Sequence, residues 1–245
     1  MPRTRLYTDH PLRPGNEVTL DGDRAKYVSR VLRLRPDEEI LLFNGDGFDY
    51  PSVVRTVGKA VVTVAVGDAR ENPSESPLAL HLVQGISRGE RMDFVMQKST
   101  ELGVTRITPV LTEYSVVKLD AKRAGKRVAH WRGVAASACE QSGRSMLPEV
   151  ESPLPLRDWL GANLAAGGTR LVLKPGWPAQ LGATDLSGDS MTVLVGPEGG
   201  FSDQEYELAG AAGFLPVGFG PRVLRTETAA LSILAALQTL RGDLG

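Results

Sequence analysis

The stretch "VLVGPEGGFSDQE" at residues 193–205 decides the fold of this chain. Its apolar beginning is typical of a buried strand, its middle is a glycine-rich turn, and Ser202 and Glu205 have the spacing of a helix capping box. Turns between a strand and a helix often bind phosphate, yet no lysine follows these glycines, and Glu198 lies within the turn. The stretch therefore predicts a strand–turn–helix unit whose turn binds a ligand other than phosphate.

Strand and helix patterns alternate around this stretch from Leu78 onward. The strand-like runs are "LALHLVQGI", "ITPVLT", "TRLVLKPG", "MTVLVGPEGG" and "LPVGFG". Helical patterns cover residues 122–141, residues 229–240 and "RMDFVMQKSTELG". In the last of these, Gly103 is the predicted C-cap, and the predicted buried face comprises Met92, Val95, Met96, Ser99 and Leu102. Nearly all-apolar strands that alternate with helices predict an α/β domain with a parallel sheet, which binds its ligand at the carboxyl ends of the strands.

The N-terminal part of the chain has a different pattern of short strands and turns. The strand-like runs are "EVTL", "EEILLFNGDGFDY", "VVRTV" and "AVVTVAV", and "NGDG" between apolar residues is a hairpin signal. The segment "DRAKYVSRVLRL" predicts a helix, with Tyr27, Val31 and Leu34 at helical spacing and arginines between them. Because residues 71–77 form a polar, proline-bounded linker, we expect a small β-barrel domain at residues 1–72 and the α/β domain at residues 73–245.

Composition excludes several classes of protein. The 245 residues are 42% hydrophobic and 23% charged, which is typical of a soluble globular protein, and the start "MPRTRLYTDH" has no signal-peptide pattern. We therefore expect a cytoplasmic protein with no membrane partner. The single cysteine, Cys139, lies in an apolar run and is expected to be a small buried hydrophobe. His10, His81 and His130 lack ligand spacing, so no metal site and no hydrolytic triad are expected.

Charge is unevenly distributed along the chain. The net charge of −1 argues against a nucleic-acid partner. Two basic clusters argue for one; they comprise Arg3, Arg5, Arg13, Arg24, Lys26, Arg30, Arg33 and Arg35 near the N-terminus, and Lys118, Lys122, Arg123, Lys126, Arg127 and Arg132 in the middle of the chain. These clusters are either two solvated faces or the contacts of a polyanion such as RNA.

Three strand-like runs end in glycine-containing loops, "LKPGW", "VGPEGGFS" and "FGPRVLRTET". None has the Gly-Lys-Ser/Thr ending of a phosphate-binding P-loop or the glycine spacing of a dinucleotide fingerprint. Each loop alone could be a plain turn. Together, at adjacent strand ends, they would form a pocket of backbone amides and carbonyls that suits an adenine edge and ribose hydroxyls. A positively charged ligand fits the missing lysine and Glu198, and S-adenosylmethionine is a cofactor of that kind.

The stretch at residues 193–205, taken with "PRVLRTETAALSILAALQ", resembles the SPOUT class of knotted RNA methyltransferases. Within that class, "QKSTELGVTRITPV", "EQSGR" and "YVSRVLRLRPDEEI" resemble the family of 16S ribosomal RNA uridine-N3 methyltransferases, of the small subunit methyltransferase E type. The resemblance implies a SPOUT domain with a C-terminal trefoil knot and a PUA-like RNA-binding barrel. It also implies a homodimer whose interface includes the last helix, although that helix could instead be buried within its own monomer.

The resemblance implies methyl transfer from S-adenosylmethionine to N3 of a uridine in the 16S ribosomal RNA of the small subunit. It places the cofactor against Leu173, Val195, Gly196, Pro197, Glu198, Gly199, Gly200, Phe219, Gly220, Leu224, Arg225, Thr226, Thr228 and Ala229. The implied RNA contacts are Lys26, Arg30, Arg33, Arg35, Arg88, Lys98, Glu101, Gln141, Arg144 and Arg222. Where relatives would have a histidine or similar residue, this chain has Lys26 followed by Tyr27.

The chemistry sets requirements for the catalytic residues. Uridine N3 is protonated at neutral pH, so the site needs a general base, a cation that stabilises the uridine anion, or both. Arg225, Arg144 and Arg222 are the candidate cations and Glu227 is the candidate base. Alternatively, Arg225 and Glu227 pair and cap the last helix, which is compatible with the catalytic roles.

Other interpretations of these motifs stay open at this point. Lys98 and Glu101 could form an ordinary exposed ion pair, and "ACEQSGR" could be a plain helix end. The alternative functions are a SPOUT methyltransferase that acts on another RNA position or on transfer RNA, and a non-catalytic ribosome-binding factor.

Overall fold

The computed structural model describes residues 4–115, 121–164 and 167–245, with the side chains of residues 121–122 left out. Lys118 and the side chain of Lys122, both in the second basic cluster, lie outside the described residues. The chain divides into two compact units, the first of Met1–Glu75 and Cys139–Leu147 and the second of Ser76–Ala138 and Pro148–Gly245. Residues 139–147, which the expected boundary at residue 72 places in the α/β domain, therefore belong to the first unit.

The first unit is built on a six-stranded, mainly antiparallel sheet. Its strands are β1 (Arg5–Tyr7), β2 (Glu17–Asp21), β3 (Glu39–Phe43), β4 (Phe48–Val57), β5 (Val61–Val66) and β6 (Arg70–Glu71). They pair in the order β1-β3-β4-β5-β2, with β6 beside β4, and the β1–β3 pair is parallel. Among the described residues β1 and β2 are the open ends of this order, so hydrogen bonds do not close the expected barrel.

The predicted hairpin is confirmed. The residues "NGDG" connect β3 and β4, which pair in antiparallel register from Glu39 opposite Val53 to Leu42 opposite Tyr50. Gly45 has φ +95°, a backbone conformation that glycine adopts without a steric penalty.

The predicted basic helix is present, but its buried face differs from the predicted one. Helix α1 (Gly22–Lys26) continues into a π-helix at Tyr27–Val31. Ala25 and Val28 are buried in the core, whereas Val31 is 65% exposed. The wider winding of a π-helix changes which residues face the core, and the α-helical spacing did not account for it. Arg33 then takes φ +53°, which ends the helix.

The second unit contains a seven-stranded sheet whose pairs are all parallel, as the sequence predicts. Its strands are β7 (Ala79–Gly85), β8 (Val104–Leu111), β9 (Glu149–Val150), β10 (Leu154–Pro155), β11 (Thr169–Leu173), β12 (Ser190–Val195) and β13 (Leu215–Val217). They pair in the order β10-β8-β7-β12-β11-β13, with β9 beside β8. The two-residue strands β9 and β10 are absent from the sequence prediction, because two residues show no periodicity.

The helices of this part of the chain are α2 (Glu90–Glu101), α3 (Ala121–Ser142), α4 (Leu156–Ala162), α5 (Asp203–Ala211) and α6 (Thr226–Arg241), with a 3₁₀ turn at Leu181–Ala183. Four of the five residues predicted for one face of α2 are buried, Leu102 is partly buried beside them, and Gly103 has φ +78° as a helix-ending glycine does. Helix α6 begins three residues before the predicted start at Ala229. None of the helices in the described ranges has the length and apolar character needed to cross a membrane.

Candidate active site

Three neighbouring strands of the parallel sheet end in the three glycine-containing loops. Strand β11 pairs with β12 on one side and with β13 on the other, and both pairs are parallel. Their carboxyl ends therefore lie at one edge of the sheet, as predicted. A cavity of about 450 Å³ opens there. It is lined by Arg91, Leu173, Pro175, Val195, Gly196, Pro197, Glu198, Gly200, Phe201, Tyr206, Val223, Leu224, Arg225, Thr226, Glu227 and Ala229.

The glycine turn at residues 195–200 is held by local hydrogen bonds and by a close approach to β7. The amide of Gly200 donates to the carbonyl of Pro197 over 2.9 Å, and Gly200 has φ +72°. A Cβ atom on Gly85, at the end of β7, would lie 2.5 Å from the backbone nitrogen of Pro197. Only glycine allows this approach. The predicted capping box follows the turn, with Ser202 and Glu205 bonding to each other's backbone amides.

The start of α6 forms the opposite wall of the cavity. Arg225 is the N-cap residue, and its carbonyl accepts from the amide of Ala229 over 2.8 Å. The hydroxyl of the buried Thr226 donates to the carbonyl of Gly196 over 2.5 Å. The two loops are therefore joined directly by a side-chain hydrogen bond.

Four charged side chains line the cavity. Arg91 Nη1 lies 2.8 Å from Glu198 Oε1, and Arg91 Nε lies 4.0 Å from Glu227 Oε1. Partial burial acts to raise the pKa of Glu198, but hydrogen bonds from backbone amides and from Arg91 outweigh it and lower that pKa. Glu227 thus pairs with Arg91 at the longest distance of an ion pair, and the alternative Arg225–Glu227 pair is not found among the described residues. Arg225 is exposed, and Glu227 Oε2 is buried with no hydrogen-bond partner among the described residues.

Most of the residues predicted to bind the cofactor come together at this edge. Ten of them line the cavity: Leu173, Val195, Gly196, Pro197, Glu198, Gly200, Leu224, Arg225, Thr226 and Ala229. Phe219 and Gly220 line a smaller cavity of about 40 Å³ that shares Leu173, Pro175, Leu224 and Ala229 with the larger one. Gly199 and Thr228, both described, lie outside either lining; a Cβ atom on Gly199 would lie 2.7 Å from Tyr114 Cβ.

Five lining residues were not predicted: Arg91, Pro175, Phe201, Tyr206 and Val223. Val223 is 82% exposed and lies between exposed Arg222 and partly buried Leu224 in the loop before α6. Tyr206 donates from its hydroxyl to the carbonyl of Leu173 over 3.2 Å, and burial raises its pKa to about 12. The sequence feature that could have identified Tyr206 as a lining residue is its position one residue after the capping box, on the first turn of α5.

The residues predicted to bind RNA divide into exposed and internally paired ones. In the first unit Lys26, Arg30, Arg33 and Arg35 are exposed, and Lys26 pairs with Asp23 at 2.9 Å. Gln141, in the same unit, is exposed as well, as are Arg88 and Arg222 in the second unit. Lys98 and Glu101 form an ion pair at 2.7 Å. An ion pair was the alternative to RNA contact that their spacing left open.

Arg144 has a structural position, which argues against its predicted catalytic and RNA-binding roles. It is only 4% exposed, and its guanidinium binds Glu75 Oε2 at 2.9 and 3.0 Å. Glu140 likewise accepts from Arg24 and from the amide of Tyr7. These contacts all lie within the first unit. The polar residues at the end of α3 and directly after it therefore bind other residues of the first unit.

Cys139 is buried, and its burial raises the pKa of the thiol to about 12, so it is the small hydrophobe that the sequence predicts. Among the described residues, no group of three or more histidine, cysteine, aspartate or glutamate side chains is placed to hold a metal ion.

Comparison with known proteins shows the family. Residues 74–238 match the RNA methyltransferase domain family, and residues 20–64 match the RNA methyltransferase PUA domain family. The chain is 32% identical to ribosomal RNA small subunit methyltransferase E of Buchnera aphidicola, over 98% of this chain and 97% of that one. It is 39% identical to the Neisseria gonorrhoeae enzyme of the same name, solved bound to S-adenosyl methionine, with a TM-score of 0.92 over 99% and 100% of the two chains. A Legionella pneumophila protein solved with the bound cofactor SAM is 40% identical, with a TM-score of 0.95 over the whole of both chains. The chain thus belongs to the ribosomal RNA small subunit methyltransferase E family.

Proposed function

We propose that this protein transfers the methyl group of S-adenosylmethionine to N3 of a uridine in the 16S ribosomal RNA of the small subunit. It would act as a cytoplasmic homodimer with a C-terminal trefoil knot. The observation that carries the proposal is the cavity at the carboxyl edge of the sheet, whose walls are two backbone loops with two carboxylates and two arginines. A family whose named relatives methylate small-subunit ribosomal RNA supplies the substrate class.

The cavity residues fit S-adenosylmethionine. The volume of about 450 Å³ is within the range of small-molecule sites. Leu173, Val195 and Leu224 offer apolar contacts and backbone groups to the adenosine half of the molecule. The carboxylates of Glu198 and Glu227 suit its positive charges, and because they balance Arg91 and Arg225 the lining has no excess positive charge to attract a phosphate. When bound, S-adenosylmethionine supplies a methyl group on a sulfonium.

Arg225 and Glu227 have suitable positions for the acceptor chemistry. Arg225 is exposed at the N-terminus of α6, where the helix dipole adds positive potential for a developing uridine anion. Lowering the pKa of N3 by one unit requires about 1.4 kcal/mol of differential stabilisation, which a single well-placed arginine can supply. Glu227 has a buried carboxylate oxygen without a partner among the described residues, so it can accept the N3 proton.

The proposed knot is supported by contacts of the chain that follows β13. The amide of Gly218 donates to the carbonyl of Ala179 over 2.8 Å, and the amide of Gly220 donates to Gln180 Oε1 over 3.0 Å. A Cβ atom on Gly218 would overlap the carbonyl oxygen of Trp177. The segment before α6 thus runs tightly against the loop between β11 and β12, as a chain threaded through that loop would.

The proposed homodimer is supported by the exposed end of α6. Leu240 is 54% exposed, whereas Leu234 is fully buried in the core of its own unit. A charge at Leu234 would therefore disrupt the fold, and Leu240→Glu is the better test of assembly. Light scattering should give twice the monomer mass for the wild type and a lower mass for Leu240→Glu. A monomeric wild type at assay concentration contradicts the dimer.

The proposed reaction is tested by incubating small subunits that lack the modification with the protein and methyl-labelled S-adenosylmethionine. Mass spectrometry of the nucleosides should then find the label in N3-methyluridine from 16S ribosomal RNA. Label in another nucleoside, or in transfer RNA added as a competitor, would assign the chain to a different RNA site. No transfer to any RNA would favour a non-catalytic ribosome-binding factor.

A further inference from the structure

Gln84 is a buried polar side chain to which the proposed chemistry assigns no role. It lies next to the last residue of β7 and is fully buried. A buried primary amide is unfavourable unless its donors and acceptor are hydrogen-bonded. The partners of this side chain therefore indicate what it does.

The amide nitrogen of Gln84 connects two loops of the cavity to the sheet. Nε2 donates to the carbonyl of Gly85 over 3.0 Å and to Thr226 Oγ1 over 2.9 Å, and it lies 3.5 Å from the carbonyl of Gly196. Thr226 Oγ1 in turn donates a hydrogen bond to the carbonyl of Gly196. Because carbonyl oxygens only accept hydrogen bonds, the contacts with Gly85 and Gly196 fix the direction of the whole chain.

Two members of this hydrogen-bond chain, Gly196 and Thr226, lie in cavity walls, although Gln84 is not one of the lining residues. Gly196 belongs to the glycine turn, and Thr226 is the first residue of α6. We infer that Gln84 is a positioning residue that fixes the separation of these two walls before the methyl donor binds. Ordering the walls in advance removes part of the entropic cost of binding. The inference rests on the proposed function for the identity of the ligand.

The other half of the amide supports a positioning role over a stabilising one. Gln84 Oε1 is buried and has no hydrogen-bond partner among the described residues. An unsatisfied acceptor cancels much of the stability that the two donated bonds add. An apolar side chain of similar size would fill the same space without that loss, so the benefit of the glutamine lies in the geometry of the walls.

Gln238 provides a matched control. It is a second fully buried glutamine in the same unit, where its amide donates to the carbonyl of Leu102 over 2.9 Å and accepts from Ser76 Oγ over 2.7 Å. It lies near the C-terminal end of α6, where it binds the residue that follows α2, and it does not line the cavity. Gln238→Leu therefore removes a buried amide without touching the two walls.

The test compares the affinity for S-adenosylhomocysteine of the wild type, Gln84→Leu and Gln238→Leu by calorimetry, at a temperature where all three are folded. Gln84→Leu should raise the Kd about tenfold, because Thr226 loses the amide bond that holds its hydroxyl in place between the two walls. Gln238→Leu should lower the Tm but change the Kd less than about twofold, as expected for a distant site. An unchanged Kd for Gln84→Leu overturns the inference. A wild type that does not bind contradicts the proposed function instead.

A second measurement tests the walls without ligand. The amides of Gly200 and Ala229 are protected by bonds to Pro197 and Arg225 in the two walls. Hydrogen exchange of these amides should be about tenfold faster in ligand-free Gln84→Leu than in Gln238→Leu; equal rates overturn the inference. If Gln84→Leu does not fold, Gln84→Glu serves, because only its protonated carboxyl can donate to Thr226. Its Kd should rise with pH as that carboxyl titrates, and a Kd independent of pH overturns the inference.

Discussion

The two edges of the parallel sheet each carry a cavity, and the edges differ in how their polar groups are satisfied. The cavity at the carboxyl edge has a volume of about 450 Å³, and the one at the amino edge, which includes His81, Arg106 and Arg170, has about 360 Å³. Both volumes suit a small molecule. Volume alone therefore does not distinguish a binding site from a space between side chains.

At the amino edge, the polar side chains bind one another or the backbone. His81 Nε2 lies 2.7 Å from Thr108 Oγ1, which also bonds to Glu151. Arg106 pairs with Glu149 at 2.9 Å. Arg170 donates to two backbone carbonyls at 2.6 Å each. This edge is held by its own hydrogen bonds.

At the carboxyl edge, several buried polar groups have no hydrogen-bond partner among the described residues. Among the described residues of the second unit, the buried side-chain nitrogen and oxygen atoms without a hydrogen-bond partner are Gln84 Oε1, Ser87 Oγ and Glu227 Oε2. Gln84 and Ser87 lie at the end of β7, and Glu227 follows the loop after β13. Unsatisfied buried groups are costly. Of these three residues only Glu227 lines the cavity, so its free carboxylate oxygen is the one available for a ligand or a proton. Among the described residues, the carboxyl-edge cavity thus has an unpaired buried carboxylate oxygen in its lining, whereas the charged side chains of the amino-edge cavity are paired.

The largest expected effect concerns Arg225. Arg225→Ala should lower the single-turnover rate of methylation about a hundredfold, or about 2.7 kcal/mol, if the guanidinium stabilises the uridine anion. The measurement uses saturating small subunits, so that a loss of RNA affinity does not affect the rate. Arg222→Ala, in the same loop, is the matched control and should keep most of the rate. A normal rate for Arg225→Ala combined with a slow Arg222→Ala would move the cation to Arg222.

At the amino edge, a substitution of His81 should change the pH dependence of the free energy of unfolding. Burial, with a smaller contribution from Arg106, lowers the pKa of His81 from 6.5 to about 4. The unfolded chain therefore takes up the proton first as the pH falls, and the free energy of unfolding should decrease by about 2 kcal/mol between pH 6.5 and pH 4. Denaturant titrations should show that His81→Gln removes this part of the pH dependence. An unchanged profile would mean that other groups cause the acid sensitivity.

The smallest expected effect concerns RNA capture by the first unit. Replacing Arg30 and Arg33 with Ala should flatten the dependence of log affinity on log salt by roughly 1.5, because fewer counterions are released. Arg55 and Lys59 are exposed in the same unit but outside the first basic cluster, so their double replacement is the control of equal charge. Equal slopes for the two double variants would show that the first basic cluster is a solvated face.

Local patterns in the sequence predicted those parts of the candidate site that depend on backbone geometry. Gly85, Gly196 and Gly200 lie where the chain must approach itself closely or take positive φ, and apolar runs predicted the parallel strands that bring their loops together. Arg91 was not found, because its partner Glu198 lies 107 residues away and only the tertiary fold brings them together.

Orientation was the second kind of information that the sequence lacked. "EQSGR" suggested side chains that reach beyond a helix end, yet Arg144 turns into the first unit and binds Glu75. Leu234 shares the apolar pattern of its helix with Leu240, but it is fully buried while Leu240 is exposed. Residue type and spacing do not specify which neighbour a long polar side chain or a helix face meets.

The central claim, that the carboxyl edge binds a methyl donor and the amino edge does not, is tested most directly by calorimetry on the wild-type protein. S-adenosylmethionine and S-adenosylhomocysteine should each bind with a measurable Kd, and ATP should give no heat of binding, because Glu198 and Glu227 balance the charges of Arg91 and Arg225 and leave the lining no excess positive charge for a triphosphate. The Kd should be the same for His81→Gln and about tenfold higher for Gln84→Leu. Tight binding of ATP with no response to S-adenosylmethionine would contradict the account.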